Sequence, residues 1–376
     1  MEEKRSSNRI VSYLVIFFIG CLAMYAVVYF FPTSITESIT KVEKDVTVTD
    51  SGIHDAVEKL YDATVVVGVA WKNNQLVSWG SGVVYKIEGN DAYILTNHHV
   101  IADAEKIVIY YTDDTETEGT LVGSDEYMDT AVIKVDAKSI KAVAEIGDSS
   151  KVGVGDTVFA IGTPVSLNYS FTTTRGILSA KDRFVAMSNA STSLFGYSSG
   201  ETWYMKLLQT DTAINSGNSG GPLANANGEL IGITNSKSGG YTSSGASIEN
   251  IGFAIPIEDA INMAEQLIKN GKVTRGYLGI AMTTIEGASE YDIKVPNNVT
   301  EGVVIAEVEK GYTADEAGLK KGDIITKIGD YDVKNYMYLK YYLYRYSVGD
   351  KVTIKYIRDG KEQSVDITIA AKSKNI

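Results

Sequence analysis

The chain has 376 residues, with 35 Lys and Arg against 47 Asp and Glu, a net charge of −12. That balance speaks against a nucleic-acid or anionic-lipid binder, which needs basic patches to displace counterions. A single Cys rules out an internal disulfide, a cysteine-based zinc site and a CxxC redox pair, and three His leave little room for a metal centre, so no metal and no cofactor are expected. Hydrophobic content of 44% and charged content of 22% are those of a folded chain of two or three domains.

In chain order, residues 10–31 come first, IVSYLVIFFIGCLAMYAVVYFF, 22 residues without a charge. A helix rising about 1.5 Å per residue spans a hydrocarbon core of about 30 Å over such a stretch, so a transmembrane helix is predicted. Lys4, Arg5 and Arg9 precede it, which assigns residues 1–9 to a cytoplasmic tail and everything after Phe31 to the extracytoplasmic side. A cleaved signal peptide has a shorter apolar core and a small-residue cleavage site, unlike Phe31-Pro32. Phe18-Ile19-Gly20-Cys21 resembles a lipoprotein box only faintly, because Leu22 to Phe31 stays apolar. Cys21 then reads as a small residue within the span.

Residues 32–52 are polar and aperiodic and read as a linker. Ile53, Ala56, Val57 and Leu60 share one side of a predicted helix, with His54 at its surface. From Thr64 the texture turns to short runs such as TVVVGVAW, AYILTN, TAVIKV, DTVFAIG and GELIGITN, the mark of an all-β barrel or sandwich. Ile257–Asn270 has helical periodicity and Gly271 beyond it as a C-cap, which closes a β-rich unit, 53–270. Residues 271–376 form a smaller mixed unit, with strands in GVVIAEV, DIITKI, KVTIKYI and SVDITI. Helices are predicted over Thr313–Ala317 and Val333–Tyr346, and a two-residue hairpin at Arg358-Asp359-Gly360-Lys361. The Tyr-rich run from Tyr336 to Tyr346 reads as core and rim of an amphipathic helix rather than a platform for bases.

The sharpest segment is NSGNSGGPL, Asn215 to Leu223. A Ser between Gly residues on a tight turn exposes its hydroxyl where backbone N–H groups converge, which suits a nucleophile with an oxyanion hole. Such a Ser needs a base, and the base an orienting acceptor. His98 and His99 end the strand AYILTNHHV, and Asp129 directly precedes the apolar run TAVIKV, with Asp125 and Asp136 as competitors.

The ordered segments ILTNHHV, DTAVIKV and GNSGGPL resemble the HtrA (Do-like, Deg) serine proteases. GSGVVY, AIGTP, RGILSA, QTDTAIN and IGFAIP extend the likeness over residues 53–265. The resemblance implies a mainly β fold, a chymotrypsin-like double β-barrel, with His99, Asp129 and Ser219 as catalytic residues and Gly217, Asn218 and Ser219 at the oxyanion hole. Position 213 is Ala, not the Asp of trypsin-type pockets, so a substrate pocket around Ala213, Ile214, Ile233 and Thr234 should be apolar. Asn218 stands where digestive proteases carry an Asp that pairs with a freshly cut N-terminus, so that route of activation is not expected. The stretch Asp182–Tyr204 is longer than the family usually shows, and insertion is its default reading.

RGYLGI, EGVVIAEV and DEAGLKKGDIITKIGD resemble an HtrA-type PDZ domain, an α+β fold, over residues 271–376. This implies a groove for C-terminal peptides with Tyr277, Leu278, Gly279 and Ile280 at its carboxylate loop. Together the likenesses imply an anchored extracytoplasmic endopeptidase, a homotrimer, acting on misfolded envelope proteins or on a membrane-linked signalling protein. The rival is a catalytically idle, PDZ-led binding or chaperone module.

Overall fold

The computed structural model describes residues 15, 17–22, 25, 50–70, 76–102, 104–188, 191–192, 198–199, 202–235 and 250–372. Its two compact units are Met1–Asp50 and Ser51–Ile376. The expected span, residues 10–31, lies largely outside the described residues, as do most of the linker and all of the tail. The described part, Val15, residues 17–22 and Tyr25, is helical and exposed. Among the described residues no helix is long and apolar enough to cross a membrane.

Helix α1, Asp50–Tyr61, is where periodicity places it. Ala56 and Leu60 are buried, Lys59 Nζ donates to Asn227 O at 3.1 Å, and His54 is exposed beside Glu58 at 3.3 Å. Six strands follow, β1 Thr64–Ala70, β2 Leu76–Glu88, β3 Asp91–Thr96, β4 Lys106–Tyr110, β5 Glu116–Asp125 and β6 Thr130–Asp136. They close into a barrel in the order β1-β2-β3-β6-β5-β4. Their β-branched residues fill it, Val65, Val67, Ile94, Ile107, Ile109 and Ile133 among them. Between β3 and β4 a single turn of helix, α2, His98–Ile101, tucks Val100 and Ile101 inward.

The second barrel consists of β7 Thr157–Gly162, β8 Thr172–Ser188, β11 Thr202–Thr210, β12 Pro222–Asn225, β13 Leu230–Thr234 and β14 Gly252–Pro256, in the order β11-β14-β13-β12-β7-β8. Two short strands, β9 Ser191–Thr192 and β10 Ser198–Ser199, pair between β8 and β11. The stretch Asp182–Tyr204 is thus, where described, an outgrowth of the barrel's own ladder. Strands β8 and β11 stay paired out to Ser188 opposite Thr202. Edge closure explains the choice of barrel over open sandwich, since a closed ladder leaves no unpaired strand. One core spans both barrels and α1, joining Leu60, Leu95, Phe159, Trp203, Leu230 and Leu267. The last of these belongs to α3, Ile257–Asn270, which ends with the Gly271 N–H on Leu267 O at 2.8 Å, the C-cap read from sequence.

The C-terminal region is a six-stranded sheet of β16 Ile280–Thr283, β17 Val303–Val308, β18 Ile324–Ile328, β19 Tyr331–Asp332, β20 Lys351–Arg358 and β21 Lys361–Thr368. Beside it, β15 Gly276–Tyr277 pairs with β22 Ala370–Ala371. Arg358 faces Lys361 across a turn with both central residues at positive φ, as the hairpin motif requires. Helix α4 is Thr313–Glu316, and α5 is Tyr336–Tyr344, shorter than the periodicity suggests. The reason is a cap. Asn335 Oδ1 accepts the Met337 N–H at 3.0 Å and starts the helix there. One face of α5 packs on the second barrel, where the Phe184 and Tyr338 rings lie 4.4 Å apart. Leu339, Tyr341, Tyr342 and Leu343 are buried, in keeping with a core-and-rim helix.

Candidate active site

The cleft residues come from the seam between barrels. Asn97 follows β3 and stands at the N-cap of α2, which presents His99. Asp129 follows the β5–β6 turn with φ 45 and 1% exposure. Its carboxylate holds His99 twice, accepting the backbone N–H on Oδ1 at 2.9 Å and meeting Nδ1 on Oδ2 at 2.6 Å. A carboxylate only accepts, so Nδ1 carries the proton and Nε2 is left as the basic nitrogen. Asn235 Nδ2 donates to the same Oδ2 at 2.9 Å, and Asn97 Nδ2 donates to Asp129 O at 2.9 Å. Neither Asn stands out in the sequence, although both close strands that it does mark, AYILTN and GELIGITN.

The competing residues have other partners. His98 Nδ1 meets Ser124 Oγ at 3.0 Å. Asp125 is buried, pairs with Arg275 and accepts the Met128 N–H at 2.9 Å. Asp136, exposed, caps a turn through the Lys138 N–H at 2.9 Å.

Ser219 is 2% exposed in the turn between β11 and β12. Gly220, next along, has φ 85, and a Cβ there would stand 2.2 Å from both Ser81 O and Thr96 Oγ1 and 3.0 Å from Asn97 N. Only glycine permits that approach, and it brings the Ser219 turn against the residue two before His99. Ser81 N–H donates to Ser219 O at 2.8 Å, a bond between barrels.

The turn is braced carbonyl by carbonyl. Val165 N–H holds Ser216 O at 2.9 Å, Ser81 Oγ holds Gly217 O at 2.8 Å, and Thr234 Oγ1 holds Asn218 O at 2.6 Å. In a trans peptide the C=O and the following N–H point opposite ways. The Gly217 N–H is thereby turned away from Val165 and the Ser219 N–H away from Thr234. Gly217 has φ 98, and a Cβ there would lie 2.1 Å from Thr163 O.

Three expected residues act otherwise. Asn218 gives its backbone N–H to Asn215 O at 3.0 Å and one amide hydrogen to Ala213 O at 3.1 Å, so both groups brace the turn. Ile233 packs in the shared core with Phe159 and Ile255, on a strand buried along its whole length. Thr234, fully buried, spends its hydroxyl on the turn. Of the expected pocket, Ala213 is exposed and Ile214 half-buried.

A trypsin-like peptidase domain profile matches residues 80–233, and a PDZ domain profile matches residues 276–369. The serine protease Do-like HtrA of Lactococcus lactis subsp. lactis (strain IL1403) is 40% identical over 305 residues, 80% of this chain and 73% of that one. The chain belongs to the HtrA (Do-like) serine proteases. Its HtrA relative in Bacillus subtilis (strain 168) is 39% identical over 308 residues, 78% of this chain and 64% of that protein. Among solved structures, the HtrA-type protease AlgW with tripeptide superposes with TM-score 0.65 at 32% identity, covering 85% of this chain and 97% of that one. The serine endoprotease from Yersinia pestis gives 0.58 at 32% identity over 88% and 100%. The two barrels are therefore the chymotrypsin-like protease fold, and the C-terminal sheet is an HtrA-type PDZ domain.

In that PDZ domain the bracing recurs. Ala314 N–H holds Leu278 O at 2.9 Å and Glu309 N–H holds Gly279 O at 2.8 Å, so the N–H groups of Gly279 and Ile280 face the other way. A cavity of about 290 Å³ opens there, lined by Tyr277, Leu278, Gly279, Ile280, Leu339 and Leu343 among others. Tyr277 donates its hydroxyl to Glu309 at 2.6 Å, and its pKa is pushed up to about 12, by burial first and then by Glu309.

Proposed function

We propose that Ser219 attacks the scissile carbonyl of a polypeptide while His99 Nε2 takes its proton and later returns it to the leaving amine. Asp129 holds the His99 tautomer and stabilises the imidazolium, and the Gly217 and Ser219 N–H groups receive the oxyanion. The observation that carries the reading is the two-point grip of Asp129 on His99, at 2.9 and 2.6 Å, beside a turn whose Ser216, Gly217 and Asn218 carbonyls are each held by a hydrogen bond. Ala213 and Ile214 favour aliphatic side chains on the acyl side.

The PDZ groove takes peptide C-termini, its two inward N–H groups receiving the carboxylate and its apolar lining the last side chain. Such binding sets the protease's activity, as fits a domain whose helix α5 borders the groove on one face and packs on the second barrel with the other. AlgW, a relative in fold and sequence, is known with bound tripeptide and decapeptide. The uncharged stretch 10–31 anchors the chain with its N-terminus in the cytoplasm and both folded domains outside. Misfolded envelope proteins or a membrane-linked signalling protein are then the substrates in reach. Val165 and Tyr169, 68% and 59% exposed on the loop between β7 and β8, give a homotrimer an apolar contact.

A fluorophosphonate probe tests the centre of this reading. It labels the wild-type chain and not Ser219→Ala or His99→Ala. No labelling of wild type, with or without an apolar C-terminal peptide, would leave a PDZ-led binding module in its place. Sedimentation of the residues after Ser51 distinguishes trimer from monomer.

A further inference from the structure

The acyl-side residues Ala213 and Ile214 belong to the second barrel, and the opposite flank of the cleft is the edge of β2. There the Ser81 N–H donates to Ser219 O at 2.8 Å and Ser81 O accepts from Thr96 Oγ1 at 2.7 Å. Ser81 therefore turns its backbone groups away from β1 and toward the cleft. The register Gly68↔Trp79, Val67↔Gly80, Val66↔Ser81 is unbroken. In an antiparallel ladder residues two apart point their N–H and C=O the same way, so those of Trp79 also face outward. Among the described residues, 76–82 has a ladder partner in β1 alone, and pairing with β3 begins at Val83.

The Trp79 side chain lies over the same spot. Its indole N–H donates to Thr163 O at 3.2 Å, across from barrel one to barrel two. A Cβ built on Gly217 would stand 3.2 Å from that nitrogen. The ring is half-buried. Val77, at the bulge where the β1–β2 register shifts, is 44% exposed. The half-buried Trp79 ring thus stands at the flank of the cleft across from Ala213 and Ile214.

We infer that Trp79 sets specificity on the leaving-group side of the scissile bond. An extended substrate adds antiparallel to β2, exchanging backbone hydrogen bonds with Trp79. The substrate residue across from Trp79, one of the first two after the cut, packs its side chain on the indole, since opposite residues of a ladder share a face. The substrates favoured are unfolded segments with a large apolar residue just beyond the cleaved bond. A charged or glycine residue there leaves the indole wetted. This inference rests on the proposed Ser219 chemistry.

The test uses the full-length chain with unfolded casein, sequencing the new N-termini by mass spectrometry. Wild type yields N-termini enriched in Leu, Ile, Val, Phe or Met at one of their first two positions. In a synthetic peptide copied from such a site, Leu→Gly at that position lowers kcat/KM about 10-fold, the usual worth of an apolar subsite. In Trp79→Ala the Leu and Gly peptides converge to within about twofold, because the Leu peptide alone loses its advantage. Trp79→Phe keeps a ring without the N–H and retains the discrimination. A tenfold ratio persisting in Trp79→Ala overturns the inference. So does an equal fall for both peptides, which would make Trp79 only a prop for Thr163. Absence of any cleavage that Ser219→Ala lacks would instead overturn the protease reading beneath it.

Discussion

Asp129 and Asp259 are both aspartates with side chains 2% exposed, and they do opposite things. Asp129 is surrounded by neutral donors from the two barrels, a backbone N–H, an imidazole and an amide. Asp259, in the first turn of α3, faces the PDZ helix, where Tyr341 donates its hydroxyl and Arg345 Nε stands 3.3 Å away. A buried carboxylate must recover lost hydration from its partners. Where the partners are rigid and neutral, the charge stays available to act on His99. Where they include a full opposite charge on another domain, the group becomes a joint. Around that joint Lys206 lies 5.4 Å from the Tyr341 ring, and Glu258 accepts from Ser149.

The largest expected effect is at the first of these. Asp129→Asn cannot accept from Nδ1 in the same way and should lower kcat on casein about 10⁴-fold, with the unfolding midpoint little changed. A variant that unfolded instead would make Asp129 a structural group like Asp259. Next, Tyr341→Phe removes the hydroxyl donor to Asp259 and should cost about 1–3 kcal/mol in chemical unfolding. Phosphonate labelling of Ser219 serves as the control that the cleft is intact.

A third prediction concerns acid. Burial raises the Asp259 carboxyl above its ordinary 3.8 in spite of Arg345, so the folded chain holds that proton more tightly than the unfolded chain. Stability from this group is then greatest at low pH and is lost as pH climbs from 3.8 through the folded value. The unfolding free energy of wild type minus that of Asp259→Asn should fall over that interval and flatten above it. A difference that rises with pH would show Arg345 prevailing over burial and make the two aspartates alike. Smallest of all, His98→Asn should change kcat/KM by no more than about twofold, since His98 bonds to Ser124 and not to Asp129.

Much of this was legible before any fold was known. Short alternating runs named the barrels, Gly271 marked the end of α3, and Asp359-Gly360 gave the hairpin, because each reports a backbone requirement met within a few residues. The candidate triad was legible by order and flanking residues. The candidate oxyanion turn was legible in its glycines, but not in Asn218, whose backbone N–H goes to Asn215 O and whose amide braces Ala213 O. Ile233 and Thr234 are buried rather than exposed beside Ala213 because β13 is covered on both faces, which no pattern within the strand announces. Helix α5 began late because Asn335 caps it, a signal present in the sequence but outweighed by periodicity.

Sequence alone pointed to the family, to a protease domain followed by a PDZ domain, and to the candidate residues of the site. Tertiary structure sets one of Asp125, Asp129 and Asp136 against His99, although the three sit within twelve residues and share one chemistry. They differ only in what lies opposite, Arg275 for one, His99 for the next, a Lys138 N–H for the third. It also gave Asp259 and Trp79 their meaning, through partners 86 and 84 positions away in the chain, Arg345 and Thr163. Local motifs record backbone geometry, which neighbours in sequence determine. The work a buried charge or an aromatic ring performs is fixed by its neighbours in space.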